Sequence, residues 1–469
     1  MIVAHGVGQS ADLPLPLDLV LQAGAATVVL SFLIAALLRR RLPPADPAPS
    51  LIPSRVAGLL RLPVLVLTLY LVGSAFVPSL GALSPVAHAL FVWLWVGLVP
   101  LSIVFGPVWR AVNPLRTLFA VLRLPRHGLR PLPPGRGAGA WPAAGFLLAF
   151  VWFELVAPHH GAPVAVGSWI IGYGLAQLAM AALRGVEWFG RGDCFEVYSS
   201  LAGRLSPLHR GRWLSGLAAP LPGVSRPGGS PPAVGSPSSA ASGWAVGSHL
   251  PAASGSARGS RVSEAPRALG ASRVSGDPRV LRAPRVAGAS RLPAGGAAAF
   301  LAVWWGSTVF DSAAASPAWA GFVQRAGWSW LWGTAALTLI CGLVFLAVDR
   351  TAGRLDVTAS LIPIAVGYTL AHYLSLLLVE GPRGALLLIQ QWGAAAGAGW
   401  DVTPIPEVVA AAQIALILIG HVLGVIVAHD HALTESPGKP TLAVLADELP
   451  MVLFMIGCTW AGLLLLFAR

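Results

Sequence analysis

Two long apolar runs in the C-terminal third of the chain each carry a histidine. SLIPIAVGYTLAHYLSLLLVEG holds His372; PEVVAAAQIALILIGHVLGVIVAHDHAL holds His421 and leaves through His429, Asp430 and His431. An ionisable side chain inside a bilayer is costly, so it marks a functional site by default. A metal ligand or a proton-relay member is the chemistry histidine offers there. His372 follows Tyr368 by one helical turn and precedes Ser375 by nearly another, which predicts a polar stripe Tyr368–His372–Ser375. The plainer alternative is a histidine buried between helices with its N–H bonded to a neighbouring hydroxyl or carbonyl.

His421 and His429 lie about 80° apart around a helix and could face one cavity at two depths. His429 and His431 diverge by about 200° on a continuing helix, so they share a metal only if the helix ends at Ala428. Otherwise the trio is a polar helix terminus, where a protonated histidine is favoured by the C-terminal dipole. Glu154, followed closely by Pro158, His159 and His160, offers a third set of donors suited to Zn²⁺ or Cu²⁺. Adjacent loop histidines point apart, however, and are commonly solvated. His5, after a short apolar stub, would chelate copper if a cleavage freed its amine.

The elements that position these groups are set by composition. Mean hydropathy is +0.72, 55% of residues are hydrophobic and 11% are charged, where soluble domains are nearer a quarter charged. Runs of roughly twenty apolar residues match the thickness of a bilayer core. The expected fold is all-α, a polytopic membrane bundle of about ten spans near 17–38, 56–77, 84–105, 141–156, 164–183, 296–315, 329–348, 357–379, 407–428 and 442–468. The alternating strands of a membrane barrel are absent. No charged n-region marks the N-terminus as a signal peptide.

Three regions follow: residues 1–214 as five spans plus an interfacial helix, 215–294 as a low-complexity cytoplasmic loop, and 295–469 as five spans with the intramembrane histidines. The loop is almost pure Ser, Gly, Pro, Ala and Arg, a composition that predicts disorder. Before it, Phe195, Tyr198, Leu201 and Leu205 recur at helical spacing, which suits a helix lying at the membrane surface. The charges of Asp193, Glu196, Arg191 and Arg204 would decorate that helix. Asn113-Pro114 reads as a turn in a cytoplasmic cap. Trp304, Trp305, Trp328, Trp330 and Trp332 read as an interfacial aromatic belt.

A net charge of +12 would suggest nucleic acid in a soluble protein. Here the arginines sit between spans and act as topology signals, so the partner is the lipid bilayer and not nucleic acid. Placing the N-terminus and C-terminus outside puts nearly every arginine cluster in the cytoplasm, as the positive-inside rule requires of a cell-membrane protein. His88, His159 and His160 then lie near the outer surface. His372 sits in the outer half of the bilayer, with Glu154, Asp311 and Glu380 at similar depth. His421 falls in the inner half, and Asp430 with its flanking histidines at the cytoplasmic mouth. The three cysteines form no paired motif. Nucleotide-binding loops, the GxSxG elbow and HExxH are all missing.

In AHGVGQSADLPLPLDLVL, RGDCFEVYSSLAGRLSPL, PIAVGYTLAHYLSLLL and GHVLGVIVAHDHAL the chain resembles a family of actinobacterial polytopic membrane proteins labelled fenitrothion-hydrolase-like. The likeness covers most of the chain outside the low-complexity loop. It implies hydrolysis of a lipophilic organophosphate triester and brings no assigned catalytic residues with it. Where family members tend to carry a basic residue after the His-Gly pair, this chain has Gln9-Ser10-Ala11-Asp12.

Two functions are therefore weighed. A metal-assisted hydrolase would use metal-bound hydroxide on a phosphoester, with His372 and His421 supported by Tyr368, Glu154 and the 429–431 mouth. A carrier would use His372 and His421 as successive stations for a proton or metal ion. The roughly 15–20 Å between the two histidines favours the carrier, unless Pro363, Gly367, Gly420 and Gly424 break a helix and bring them together. The absence of inverted repeats counts against it. An accessory scaffold is the third possibility.

Overall fold

The computed structural model describes residues 16–38, 52–131, 139–207, 292–351, 357–395, 397–400, 402–435 and 441–467. His5 and the predicted disordered loop, apart from its last three residues, lie outside them. All regular structure among the described residues is helical. Leaving aside single-turn segments, the helices in chain order are α1 (Leu17–Leu38), α2 (Ser54–Ser74), α3 (His88–Phe105), α4 (Val108–Val112), α5 (Pro114–Val121), α6 (Trp141–Leu155), α7 (Pro163–Arg184) and α8 (Cys194–Ala202). After the intervening segment come α9 (Leu292–Ala314), α10 (Pro317–Ala326), α11 (Ser329–Thr351), α12 (Leu361–His372), α13 (Leu374–Gln391), α14 (Pro406–Glu435) and α15 (Thr441–Phe467).

Six of the described helices (α1, α2, α3, α7, α11 and α14) are long and apolar enough to cross a bilayer, and α12 with α13 makes a seventh as one bent pair. Helix α6 and residues Val452–Leu464 of α15 are shorter apolar stretches. The outward faces are greasy: Leu59 is 76% exposed, Leu339 62% and Leu453 59%. Water would not tolerate such faces over so many helices, whereas lipid solvates them. The chain is a multi-pass helical membrane protein.

Helix α9 is the centre of the bundle. Phe300, Leu301, Trp304 and Thr308 are buried, and α9 packs on α6, α11 and α12. Helices α12 and α14 run antiparallel in close contact. A Cβ on Gly420 would stand 2.6 Å from the Pro363 carbonyl oxygen, and one on Gly424 2.8 Å from that of Ser360. The glycines read in the sequence as possible breaking points are thus the small residues that let two backbones touch.

The predicted straight span at 357–379 is broken instead. Helix α12 ends at His372, and the axis turns by 62° into α13. The hinge residue Tyr373 is buried. No glycine or proline sits at the bend, which is why periodicity alone reads through it. A second irregularity lies in α3, where Gly97 N donates to Val92 O, five residues back. Such π-type winding commonly accompanies functional sites.

The predicted surface helix is likewise corrected. From Cys194 to Leu201 only Ser200 escapes full burial. Helix α8 is folded into the protein against α3, α4 and α6, because its acidic face finds partners inside the protein, described below. The tryptophans divide. Trp328, Trp330 and Trp332 are exposed, as a belt requires, but Trp304 is buried and Trp305 half-buried.

Candidate functional site

Three helices end at the same level and bring their acidic or basic residues together. Helix α9 carries Asp311 and Ser312 in its last turn, α12 ends on His372, and α6 carries Glu154 one residue from its end. His372 Nε2 is 2.8 Å from Asp311 Oδ2. Its Nδ1 is 3.2 Å from Ser312 Oγ, which in turn is 3.1 Å from the Tyr368 hydroxyl. The His372 side chain is wholly shielded and that of Asp311 is 10% exposed. One consistent assignment is a neutral ring with its proton on Nε2, donating to Asp311 and accepting from Ser312. Protonated, the ring would donate at both nitrogens.

The rest of the shell holds this pair in place. Trp304 Nε1 donates to Thr369 Oγ1 at 2.9 Å, and Gln413 Nε2 on α14 donates to the Ala371 carbonyl at 2.8 Å. The latter satisfies one of the carbonyls that a helix C-terminus leaves open. Glu154 is 1% exposed, and neither of its carboxyl oxygens has a hydrogen-bond partner among the described residues. Its electrostatic neighbours are Asp311 and the hydroxyls of Tyr198 and Tyr373. The Tyr198 ring stacks on Trp95 at 4.8 Å and tilts against Trp304 at 4.3 Å.

The other sequence candidates lie apart. His421 stands next to Gly420, level with Pro363 near the start of α12, so about 13 Å of helix separates it from the level of His372. Its Nδ1 bonds the Ile417 carbonyl at 2.8 Å, and its buried Nε2 has no hydrogen-bond partner among the described residues. The α12–α14 contact keeps the two histidines apart, and no helix break unites them. Helix α14 runs on to Glu435, so His429 and His431 diverge around it. His429 and Asp430 are buried, the former edge-on to Phe32. His159 is exposed in the turn after α6, and His160 Nδ1 lies 2.8 Å from the Ala157 carbonyl. Ser375 falls beyond the bend, so the polar stripe stops at His372. No three His, Cys, Asp or Glu side chains converge as a metal site among the described residues.

A second buried polar cluster gathers around α8, where the sequence reading saw only surface charge. Asp193 caps the helix, accepting from Phe195 N at 3.0 Å. It also accepts from Asn113 Nδ2 at 2.7 Å, Trp109 Nε1 at 3.2 Å and the Tyr173 hydroxyl at 2.6 Å. Glu196 takes a two-point bond from Arg116 at 2.7 and 2.6 Å. Burial, with Glu196 adding to it, pushes the Asp193 carboxyl up to about 6, against the pull of its donated bonds. The NPLR and RGDCFE segments are thus two halves of one network. The missed signal was the matching of Asn113 and Arg116 with Asp193 and Glu196, complementary groups in separate loops.

No family model, no curated protein and no solved structure matches this chain. The site must be read from its own geometry.

Proposed function

We propose that this protein is a proton-handling membrane carrier whose protonation centre is the Asp311–His372 pair. The observation that carries the reading is that pair itself: a carboxylate and an imidazole 2.8 Å apart, shielded from solvent, at the bend between α12 and α13. Carriers place coupling-ion sites at discontinuous helices, where backbone and side chains can reorganise. Histidine facing a carboxylate is a grouping that serves as a proton relay. His421, at another depth of the same bundle and bonded to its own helix, stands apart from this centre. The full arrangement we infer has about ten spans with both termini outside, in the cell membrane. The common level of Glu154, Asp311 and His372 supports the part of that topology in which α6, α9 and α12 run the same way.

One observation favours the hydrolase that the family resemblance implies. Ser312, His372 and Asp311 form a hydroxyl–imidazole–carboxylate series, the grouping that activates a serine nucleophile. This version needs no metal on His372, whose two ring nitrogens are already engaged. Zn²⁺ or Cu²⁺ chemistry at His372 would require Asp311 or Ser312 to let go. A lipophilic phosphotriester would also need a path to Ser312, which is 2% exposed.

Reconstitution into proteoliposomes carrying an internal pH indicator tests the first reading. An imposed pH gradient should discharge faster than in protein-free vesicles, and equal rates would overturn it. Aryl phosphotriester turnover by the same vesicles tests the second.

A further inference from the structure

Glu154 is the buried group that neither the Asp311–His372 pair nor the helix packing accounts for. It lies in the last turn of α6, 1% exposed. Both carboxyl oxygens lack a hydrogen-bond partner among the described residues, and so does the hydroxyl of neighbouring Tyr198. An ionised carboxylate removed from water with no bond to either oxygen costs several kcal/mol, so the group persists there as the neutral acid. The groups that face it are Asp311 from α9, Tyr198 from α8 and Tyr373 from the bend. Tyr198 is a phenol whose hydroxyl can turn toward a carboxylate, Tyr373 bonds Asp311, and Asp311 is the carboxylate of the protonation centre.

We propose that Glu154 is a proton store for the Asp311–His372 centre, a role that rests on the proton-carrier reading. At rest Glu154 holds the proton on its carboxyl. When the centre has lost its own, the Glu154 O–H bond breaks and the proton passes to the Asp311–His372 pair, leaving Glu154 as the carboxylate. The Tyr198 hydroxyl then donates to that carboxylate until a proton returns to it, while Tyr373 keeps its bond to Asp311. No oxidant, metal or other reactant takes part. Tyr198 is suited to the task because Trp95 and Trp304 fix its ring while its hydroxyl remains uncommitted.

Infrared difference spectroscopy on the full-length protein in lipid films reads this directly through the carbonyl stretch of a protonated carboxyl. The wild type should show such a band at neutral pH. Glu154→Gln should remove it, and Glu154→Asp should displace it without removing it. Asp311→Asn should leave a protonated-carboxyl band in place. A wild-type spectrum without the band, or a band untouched by Glu154→Gln, overturns the proposal. Proton uptake by the same preparations supplies the kinetic arm: Tyr198→Phe keeps the ring stack and should slow uptake several-fold, and wild-type rates in both Tyr198→Phe and Glu154→Gln also overturn it. Should wild-type vesicles carry no protons at all, the carrier reading fails on that measurement, while the infrared band still decides the state of Glu154.

Discussion

Asp311 and His372 stand 61 residues apart in sequence and 2.8 Å apart in space. They meet because α9 and α12 run side by side in the same direction and finish at one level. Each takes the other's polar group out of contact with hydrocarbon, which would otherwise leave two costly residues unpaired. Ser312 closes the second ring nitrogen. The arrangement fixes the ring's orientation.

Ser312 separates the two functional readings. Ser312→Ala should abolish phosphotriester turnover if the serine is a nucleophile. For proton handling it removes one hydrogen bond of about 1 kcal/mol, which slows uptake roughly fivefold. Parallel assays of the two activities on one preparation make the comparison.

The α12–α14 contact predicts a sharp difference between glycines. Gly420→Ala drives a Cβ against the Pro363 carbonyl, at 2.6 Å before any shift. It should destabilise the protein by about 1–3 kcal/mol. Gly58→Ala on α2 meets nothing within 4 Å and should leave the thermal midpoint in detergent unchanged or slightly raised.

Asp193 makes stability depend on pH. Its folded value of about 6 lies above that of an unfolded aspartate, near 4. The folded chain therefore binds the proton first, and the stabilisation is complete below about pH 4 and lost as pH rises through 6. Thermal midpoints between pH 4 and 7 should fall across that window in the wild type. Asp193→Asn should flatten the trend while lowering stability overall, since an amide N–H would face the donors now pointing at the carboxylate.

Much of this was legible in the sequence, and the gaps have physical causes. The membrane class and most helix positions follow from hydropathy, because lipid demands long apolar helices. His372, Tyr368 and the shared depth of Glu154 and Asp311 follow from the cost of ionisable groups in such helices. Pairing is another matter: nothing along the chain says that Asp311, and not His421, is the partner of His372. The burial of α8 escaped for the same reason, since Asp193 and Glu196 look like surface charge until Asn113 and Arg116 arrive from another loop. The bend at Tyr373 carries no glycine or proline to announce it.

The topology is open to single-cysteine labelling. Leu129, 71% exposed, belongs to a cytoplasmic loop in the arrangement proposed, and Trp328, 70% exposed, to an outer one. The native cysteines are all buried and give little background. Leu129→Cys should react with an impermeant maleimide only after the cells are opened, and Trp328→Cys should react in intact cells. The reverse pattern would invert the protein in the membrane.

Proton uptake by proteoliposomes bearing Asp311→Asn, His372→Gln or His421→Gln bears most directly on the central claim. Loss of acid–base transfer at the centre should slow the first two roughly a hundredfold, while His421→Gln, bonded to its own helix, retains most of the wild-type rate. Wild-type rates in Asp311→Asn and His372→Gln would contradict the assignment of that pair as the protonation centre.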